Sequence, residues 1–210
     1  MKDDAGISIV YLIDDELDVR ESMITLIQSK GLYVKAFDSA QAFLNSYMPD
    51  IPGCLVLDLK MPLMNGLELQ EELVARDNNI PIIFISGNAT VPDTVKAFRS
   101  GAFDFLVKPF SGKMLFERIE KAIKSDIDAR NNITKQCKVQ LSFNALTDRE
   151  KQVLELIISN HSNKEAAKRL NISHRTVEIH RARIMEKMQA ESLVELVAMA
   201  INSKLTEKQL

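Results

Sequence analysis

Five polar residues stand at the ends of apolar runs: Asp14 and Asp15 after ISIVYLI (7–13), Asp58 closing CLVLD (54–58), Ser86 closing PIIFIS (81–86) and Lys108 after FDFLV (103–107). A chain does not bury an isolated carboxylate without penalty, so such acids lie at a surface or are held for chemistry. Taken singly, each acid is an ordinary strand-end or loop residue, and Ser86 or Lys108 alone carries no message. Brought to one place, three carboxylates repel and raise one another's pKa unless a cation shares them. Their hard oxygens select a hard ion, Mg²⁺ with retained waters. A carboxylate beside Mg²⁺, a lysine and a hydroxyl is equipped to receive a phosphoryl group. The metal and Lys108 would neutralise the equatorial oxygens, Ser86 would donate a hydrogen bond, and an Asp58 oxygen would attack in line to form an aspartyl phosphate.

That chemistry requires a scaffold that brings all five to one edge. Over the first 125 residues short apolar runs alternate with helical patterns, the form of repeated βα units around a parallel sheet. The runs at 7–13, 54–58 and 81–86 are too continuously apolar for one-faced strands and predict central strands covered on both sides. YVKAF (33–37) and FDFLV (103–107) complete a five-stranded, doubly wound parallel sheet. Helix ends are marked by Gly31, by Ser39 as a cap, by Pro92 near a start and by Gly101 just past an end. In such a sheet the ligand site lies beyond the carboxyl ends of the strands, where the strand order reverses, which is where the five residues fall.

Beyond about residue 140 the strand signals stop. Thr147 followed by Glu150 forms a capping box ahead of apolar spacing at Val153, Leu154, Ile157 and Ile158. Helices at roughly 163–170, 174–188 and 192–203 follow, with Asn160 and Asn171 where left-handed helix-ending residues are wanted. These four helices predict a compact all-α domain, and the pair 163–170 and 174–188 reads as a helix-turn-helix. On the second of them Val177, Ile184 and Met188 form an inward stripe, while Arg175, Glu178, Ile179, Arg181, Ala182 and Arg183 lie wholly or partly outside. A helix with four cations and two acids is most often only a solvated face. Its arginines can equally hold phosphates or read guanine, and the small Ala182 permits close approach to a groove. The connection at about 126–145 is polar, without glycine or proline. Phe116, Ile119, Ile123, Ile133 and Cys137 keep partial heptad spacing that Asp126 and Arg130 interrupt, so a continued fifth helix and a flexible tether are both open.

The pattern DD after the first strand, LDLKMPLMNG with its aspartate, SG after the fourth strand and DFLVKPF after the fifth resembles the receiver domain of bacterial two-component response regulators. The resemblance implies a flavodoxin-like receiver in which a histidine kinase phosphorylates Asp58. It further implies that Asp15 and Asp58 bind Mg²⁺ with Asp14 supporting, that the Lys60 backbone carbonyl is a further ligand, and that Lys108 pairs with the phosphate through a cis bond to Pro109. Ser86 and Phe105 would be the switch pair: phosphorylated Asp58 draws Ser86 inward and vacates space for Phe105. Two departures are Phe105, where tyrosine is also frequent, and Ser86 in place of threonine. LTDREKQVLELI, SNKEAAKRLNIS, RTVEIHRARIMEKM and SLVELVAMA are similar to the LuxR-type DNA-binding domain. Asn160 departs there from the usual glycine and Ala166 from a larger aliphatic residue. The whole chain thus resembles the NarL/FixJ family, nearest its FixJ-like branch.

By that resemblance Arg175, Glu178, Ile179 and Ala182 face bases, while Thr176, Arg181, Arg183 and Lys187 hold phosphates. The expected domains are a receiver over 1–125, a linker over 126–142 and a helix-turn-helix domain over 143–210. The implied partners are a sensor histidine kinase, double-stranded promoter DNA, a second copy of the chain on phosphorylation, and RNA polymerase as a further contact, with transcription regulated, activation being the expected sign.

Composition agrees with this division. Residues 1–144 carry 16 Lys and Arg against 20 Asp and Glu, whereas 145–210 carry 11 against 9, so only the helical part is positive. Cys54 and Cys137 have neither metal-ligand nor CxxC spacing and read as reduced core thiols. His161, His174 and His180 form no metal-binding pair with a cysteine and take structural roles. No apolar run approaches the roughly 18 residues of a membrane span, and the acidic start MKDDAG is unlike a signal peptide, so a cytoplasmic protein without membrane contact is expected. A phosphatase working through an aspartyl phosphate would need a second aspartate two residues after Asp58, and Lys60 stands there. A receiver that controls a partner protein rather than DNA would lack the arginine-bearing helix.

Overall fold

The computed structural model describes residues 7–202; the acidic start at 1–6 and the tail from 203, part of the expected 143–210 span, lie outside the described residues. The chain divides into two compact units, one up to Arg130 and the other from Asn131.

In the first unit β1 (Ile9–Ile13), β2 (Tyr33–Phe37), β3 (Gly53–Asp58), β4 (Ile82–Ser86) and β5 (Asp104–Val107) form one sheet in the order β2-β1-β3-β4-β5. All its pairings are parallel. Helices α1 (Leu17–Gln28), α2 (Ala40–Ser46), α3 (Gly66–Ala75), α4 (Val91–Arg99) and α5 (Gly112–Asn144) alternate with the strands. The continuously apolar runs are explained by alternation across the pleat. Tyr11, Ile13, Leu55, Leu57 and Phe84 enter one core with Phe43 of α2, Leu69 and Leu73 of α3, and Ala97 of α4. Val10, Leu12, Cys54, Val56, Ile83 and Ile85 enter the opposite core with Met23 and Ile27 of α1 and Leu115, Ile119 and Ala122 of α5. Both layers bury β3 along its whole length.

Local signals define the element ends. Ser39 caps α2 by accepting from the Ala42 N–H, and Gly31 and Gly101 take φ of +75° and +90° after α1 and α4. Thr90 and Asp93 form a capping box at α4, with Pro92 in its first turn. Strands begin slightly later than the apolar runs: β1 at Ile9, β4 at Ile82 and β5 at Asp104.

The second unit holds α6 (Asp148–Ile158), α7 (Asn163–Leu170), α8 (His174–Met188) and α9 (Leu193–Asn202). The Thr147–Glu150 box caps α6. Asn160 and Asn171 take φ of +60° and +53°, the left-handed geometry that asparagine tolerates best after glycine. Val153, Leu154, Ile157, Ala166, Ala167, Val177, Ile184, Met188, Leu196 and Ala200 make its core, joined by Val139 and Phe143 from the last turns of α5. Helix α5 is continuous through the connection. Among the described residues no helix is long and apolar enough to cross a membrane.

Gly53 opens β3 opposite Ile9, and a Cβ there would stand 2.1 Å from the Ile9 carbonyl oxygen. Since the obstacle is backbone of a central strand, Gly53→Ala is expected to cost the first unit about 3 kcal/mol, read as a lowered urea midpoint.

Candidate functional site

The strand order reverses between β1 and β3, so the crevice beyond their carboxyl ends is the site the topology prepares. Asp14 follows β1, Asp58 is the last residue of β3, Ser86 the last of β4, and Lys108 follows β5. The Lys108 ammonium lies 3.1 Å from Asp14 Oδ2 and 2.9 Å from Asp58 Oδ1, joining two acids that are 44 residues apart in sequence, positions 14 and 58. Asp14 is wholly buried, and Asp58 is 8% exposed. The remaining Asp14 oxygen accepts from the Glu16 N–H at 2.9 Å, and Asp58 Oδ2 accepts from the Lys60 N–H at 2.8 Å. Arg20 donates to the Asp14 backbone carbonyl at 2.6 Å, a contact with no short-range signal in DDELDVR. The Lys108–Pro109 peptide is cis.

Burial is the chief influence on Asp58 and raises its pKa; hydrogen bonds from Lys108 and the Lys60 N–H oppose this, the nearby Asp14 adds to it, and the net shift is upward. For Lys108, burial acts downward but is outweighed by hydrogen bonds and attraction from Asp58 and Asp14, so the ammonium is held charged above its ordinary value. The arrangement keeps one buried carboxylate beside a fixed positive charge. That combination favours attack by Asp58 on a group that brings its own negative oxygens.

The expected cluster of three acids forms only in part. Asp15 is exposed, and among the described residues no group of three acidic, histidine or cysteine side chains is gathered for a metal ion. The converging acids are Asp14 and Asp58, already joined by Lys108. The donor set nevertheless fits a hard ion: carboxylate oxygens of Asp14 and Asp58 and an exposed Asp15 next in sequence are all oxygen donors. Ser86 is buried with its hydroxyl oxygen 3.3 Å from the Asn88 N–H. Phe105 is half-buried and stacks on Phe84 with ring centroids 5.9 Å apart.

In the second unit α7, the turn at Asn171 and α8 make the helix-turn-helix, with Ser162 and Ser173 capping the two helices. The α8 stripe Val177, Ile184 and Met188 is buried. Arg175, Glu178, Ile179, Ala182 and Arg183 are exposed on the same helix. Thr176 Oγ1 lies 2.7 Å from the Ser173 hydroxyl, and Arg181 donates to Asn163 Oδ1 at 2.6 Å, tying α8 to the first residue of α7. The Lys187 ammonium, expected at phosphates, donates here to Glu150 at 2.7 Å and to the Ala145 carbonyl at 3.2 Å. Arg149, passed over in the sequence, donates to the Leu170 carbonyl and fixes the end of α7.

The receiver domain of response regulators matches residues 10–120, and the luxR family of bacterial regulatory proteins matches 144–200. The chain is therefore a member of the two-component response regulators in which a receiver is joined to a LuxR-type DNA-binding domain, the NarL/FixJ family, and it regulates transcription. It is 42% identical over 190 residues to the response regulator protein TmoT of Ectopseudomonas mendocina, covering 90% of this chain and 86% of that one. It is 42% identical over 193 residues to the transcriptional regulatory protein FixJ of Rhizobium meliloti, covering 91% and 94%. The structure of the response regulator StyR superposes with a TM-score of 0.84 at 40% identity, covering 93% of this chain and 99% of that one.

Two stability effects follow from the site geometry. Because the pKa of Asp58 is raised in the folded state, folding takes up its proton first, and stability rises as pH falls from neutral toward the carboxylate range. Asp58→Asn removes the buried charge, so the first unit should gain on the order of 1 kcal/mol at neutral pH, a few degrees in Tm, and lose that pH dependence. Glu150 shows the opposite sign. Burial would raise its carboxyl, but the Lys187 ammonium and the Thr147 N–H and hydroxyl outweigh this and bring it from 4.5 to about 2. Its contribution is complete above pH 4.5 and is lost as pH falls toward about 2. Lys187→Met should cost about 2 kcal/mol at neutral pH, less than for a wholly buried pair because the lysine is partly exposed, and should flatten that acid limb in urea titrations.

Proposed function

We propose that Asp58 is the phosphoacceptor of this regulator and that its phosphorylation by a sensor histidine kinase controls binding of α8 to promoter DNA. The observation that carries this reading is the buried Asp58 carboxylate at the switch point, 2.9 Å from the Lys108 ammonium. Asp58 attacks the donor phosphorus in line, and the bond from phosphorus to the donor histidine breaks as the aspartyl phosphate forms. Lys108 moves its charge from the two carboxylates to the phosphoryl oxygens. Asp14, Asp15, Asp58 and the Lys60 carbonyl would hold Mg²⁺, which supplies positive charge to those oxygens. The Ser86 hydroxyl then turns from the Asn88 N–H to the phosphoryl group, and Phe105 shifts into the space it leaves. The chain dimerises in this state through the face of α4, β5 and α5 and regulates transcription, most simply by activation, with RNA polymerase as a further partner. The receiver takes in residues 1–125, the linker 126–142 and the DNA-binding domain 143–210, and the protein acts in the cytoplasm.

On DNA, Arg175, Glu178, Ile179 and Ala182 face base edges, supported by their exposure on one helix. Arg183, exposed on the same helix, holds phosphate, and Thr176 and Arg181 approach the backbone from the positions their Ser173 and Asn163 contacts give them. Lys187 has its charge committed to Glu150 and contributes to DNA binding through the position of α8.

With Mg²⁺ and acetyl phosphate, intact-mass spectrometry should show one added phosphoryl group on the wild type and none on Asp58→Asn; labelling of that variant overturns the assignment. Operator selected from a random pool should bind with an affinity that falls steeply with salt. Arg183→Ala should lower the slope of log affinity against log salt by about 1, and an unchanged slope removes Arg183 from the phosphate contacts.

A further inference from the structure

The two residues that interrupt the heptad pattern, Asp126 and Arg130, are not solvated. Asp126 is 6% exposed, one turn beyond Ala122, the last fully buried receiver-core residue of α5. Its Oδ2 accepts from the Gly53 N–H at 2.9 Å and from Arg130 Nε at 2.7 Å. Arg130 in turn donates from Nη1 to the Pro49 carbonyl at 2.6 Å. The segment thus held, Pro49 to Gly53, leads into β3, and the preceding Met48 carbonyl accepts from the Tyr11 hydroxyl at 3.3 Å. Gly53 is buried, and no Cβ fits there, so its N–H has no solvent partner and depends on Asp126. A buried carboxylate with two donors, one cationic, is stable where a lone one would not be.

Immediately after this pair α5 leaves the receiver core. Every residue from Asn131 to Lys138 is exposed, and the stretch NNITKQCK contains two asparagines, two β-branched residues and no acid to pair with Lys135 or Lys138. Apolar packing resumes at Val139 and Phe143, which join the second core, while Asn132, Lys135 and Gln136 do no more than line an open crevice with Glu195 and Met199 of α9. A stretch of eight such residues is a marginal helix unless it is nucleated from a neighbouring turn.

We infer that the Asp126–Arg130 pair, clamped to the loop before β3, is the latch that keeps residues 131–138 helical, so that the connection is a helix while the latch is closed and a tether when it is open. The inference stands on the clamp geometry; its regulatory meaning, transmission from the acceptor end of β3 to the DNA-binding unit, rests on the function proposed above. β3 carries Gly53 at one end and Asp58 at the other, so the latch and the acceptor share one buried strand.

The test is hydrogen–deuterium exchange on the full-length, unphosphorylated chain, which needs neither phosphate nor DNA and is therefore independent of the proposed function. Arg130→Gln leaves the Gly53–Asp126 bond in place, and Asp126→Asn keeps an acceptor for Gly53 while removing the ion pair. Amides of 131–138 should exchange at least fivefold faster in both variants, with β1, β3 and α6–α9 at wild-type rates. Unchanged exchange in 131–138 overturns the inference. So does an equal acceleration throughout the first unit, which would make the pair a support of the receiver alone.

Discussion

One ammonium between two buried carboxylates governs the crevice beyond the carboxyl ends of the strands. Burial pushes the Asp58 carboxyl up, and the Lys108 ammonium, 2.9 Å from Asp58 and 3.1 Å from Asp14, opposes it. Lys108 reaches them only because β5, at the sheet edge, ends level with β4, and because β1 and β3 are neighbours at the switch point. The five-stranded order and the two apolar layers together deliver three side chains to one place. The residual upward shift of Asp58 shows that the lysine offsets burial incompletely. A carboxylate left in that condition is stabilised by further positive charge brought beside it.

The second unit uses the same device for a different end. Glu150 is buried and saturated by Lys187 and Thr147, so its carboxyl is held at about 2 and it serves structure. The contrast between Glu150 and Asp58 is one of donor supply: the former has an ammonium to itself, the latter shares one. With Lys187 bonded to Glu150 and Arg181 to Asn163, the cations of α8 that keep no side-chain partner among the described residues are Arg175 and Arg183, beside the small Ala182.

Much of this was legible in the sequence, for reasons of short range. Continuous apolar runs marked strands covered on both faces, and β3 is buried from Gly53 to Asp58. Asn160 and Asn171 marked left-handed turns, and Thr147 with Glu150 marked a cap, because these are interactions between residues a few positions apart. What was missed depends on distant partners. Asp126 and Arg130 read as breaks in a heptad, yet they bond Gly53 and Pro49 on another element. Lys187 read as one more surface cation until Glu150, on α6, was placed beside it. Nothing in the pair DD tells which acid turns inward, but adjacent residues diverge at a strand end, leaving Asp14 buried and Asp15 exposed.

The claim that Lys108 and a metal ion draw on the same two carboxylates is tested most directly by calorimetric titration of Mg²⁺ into the wild type and Lys108→Met. Removing the ammonium frees Asp14 and Asp58 and removes a like charge, so Mg²⁺ should bind roughly tenfold more tightly to the variant. Equal or weaker binding by Lys108→Met would contradict the account, because it would mean that the lysine and the metal do not compete for these oxygens.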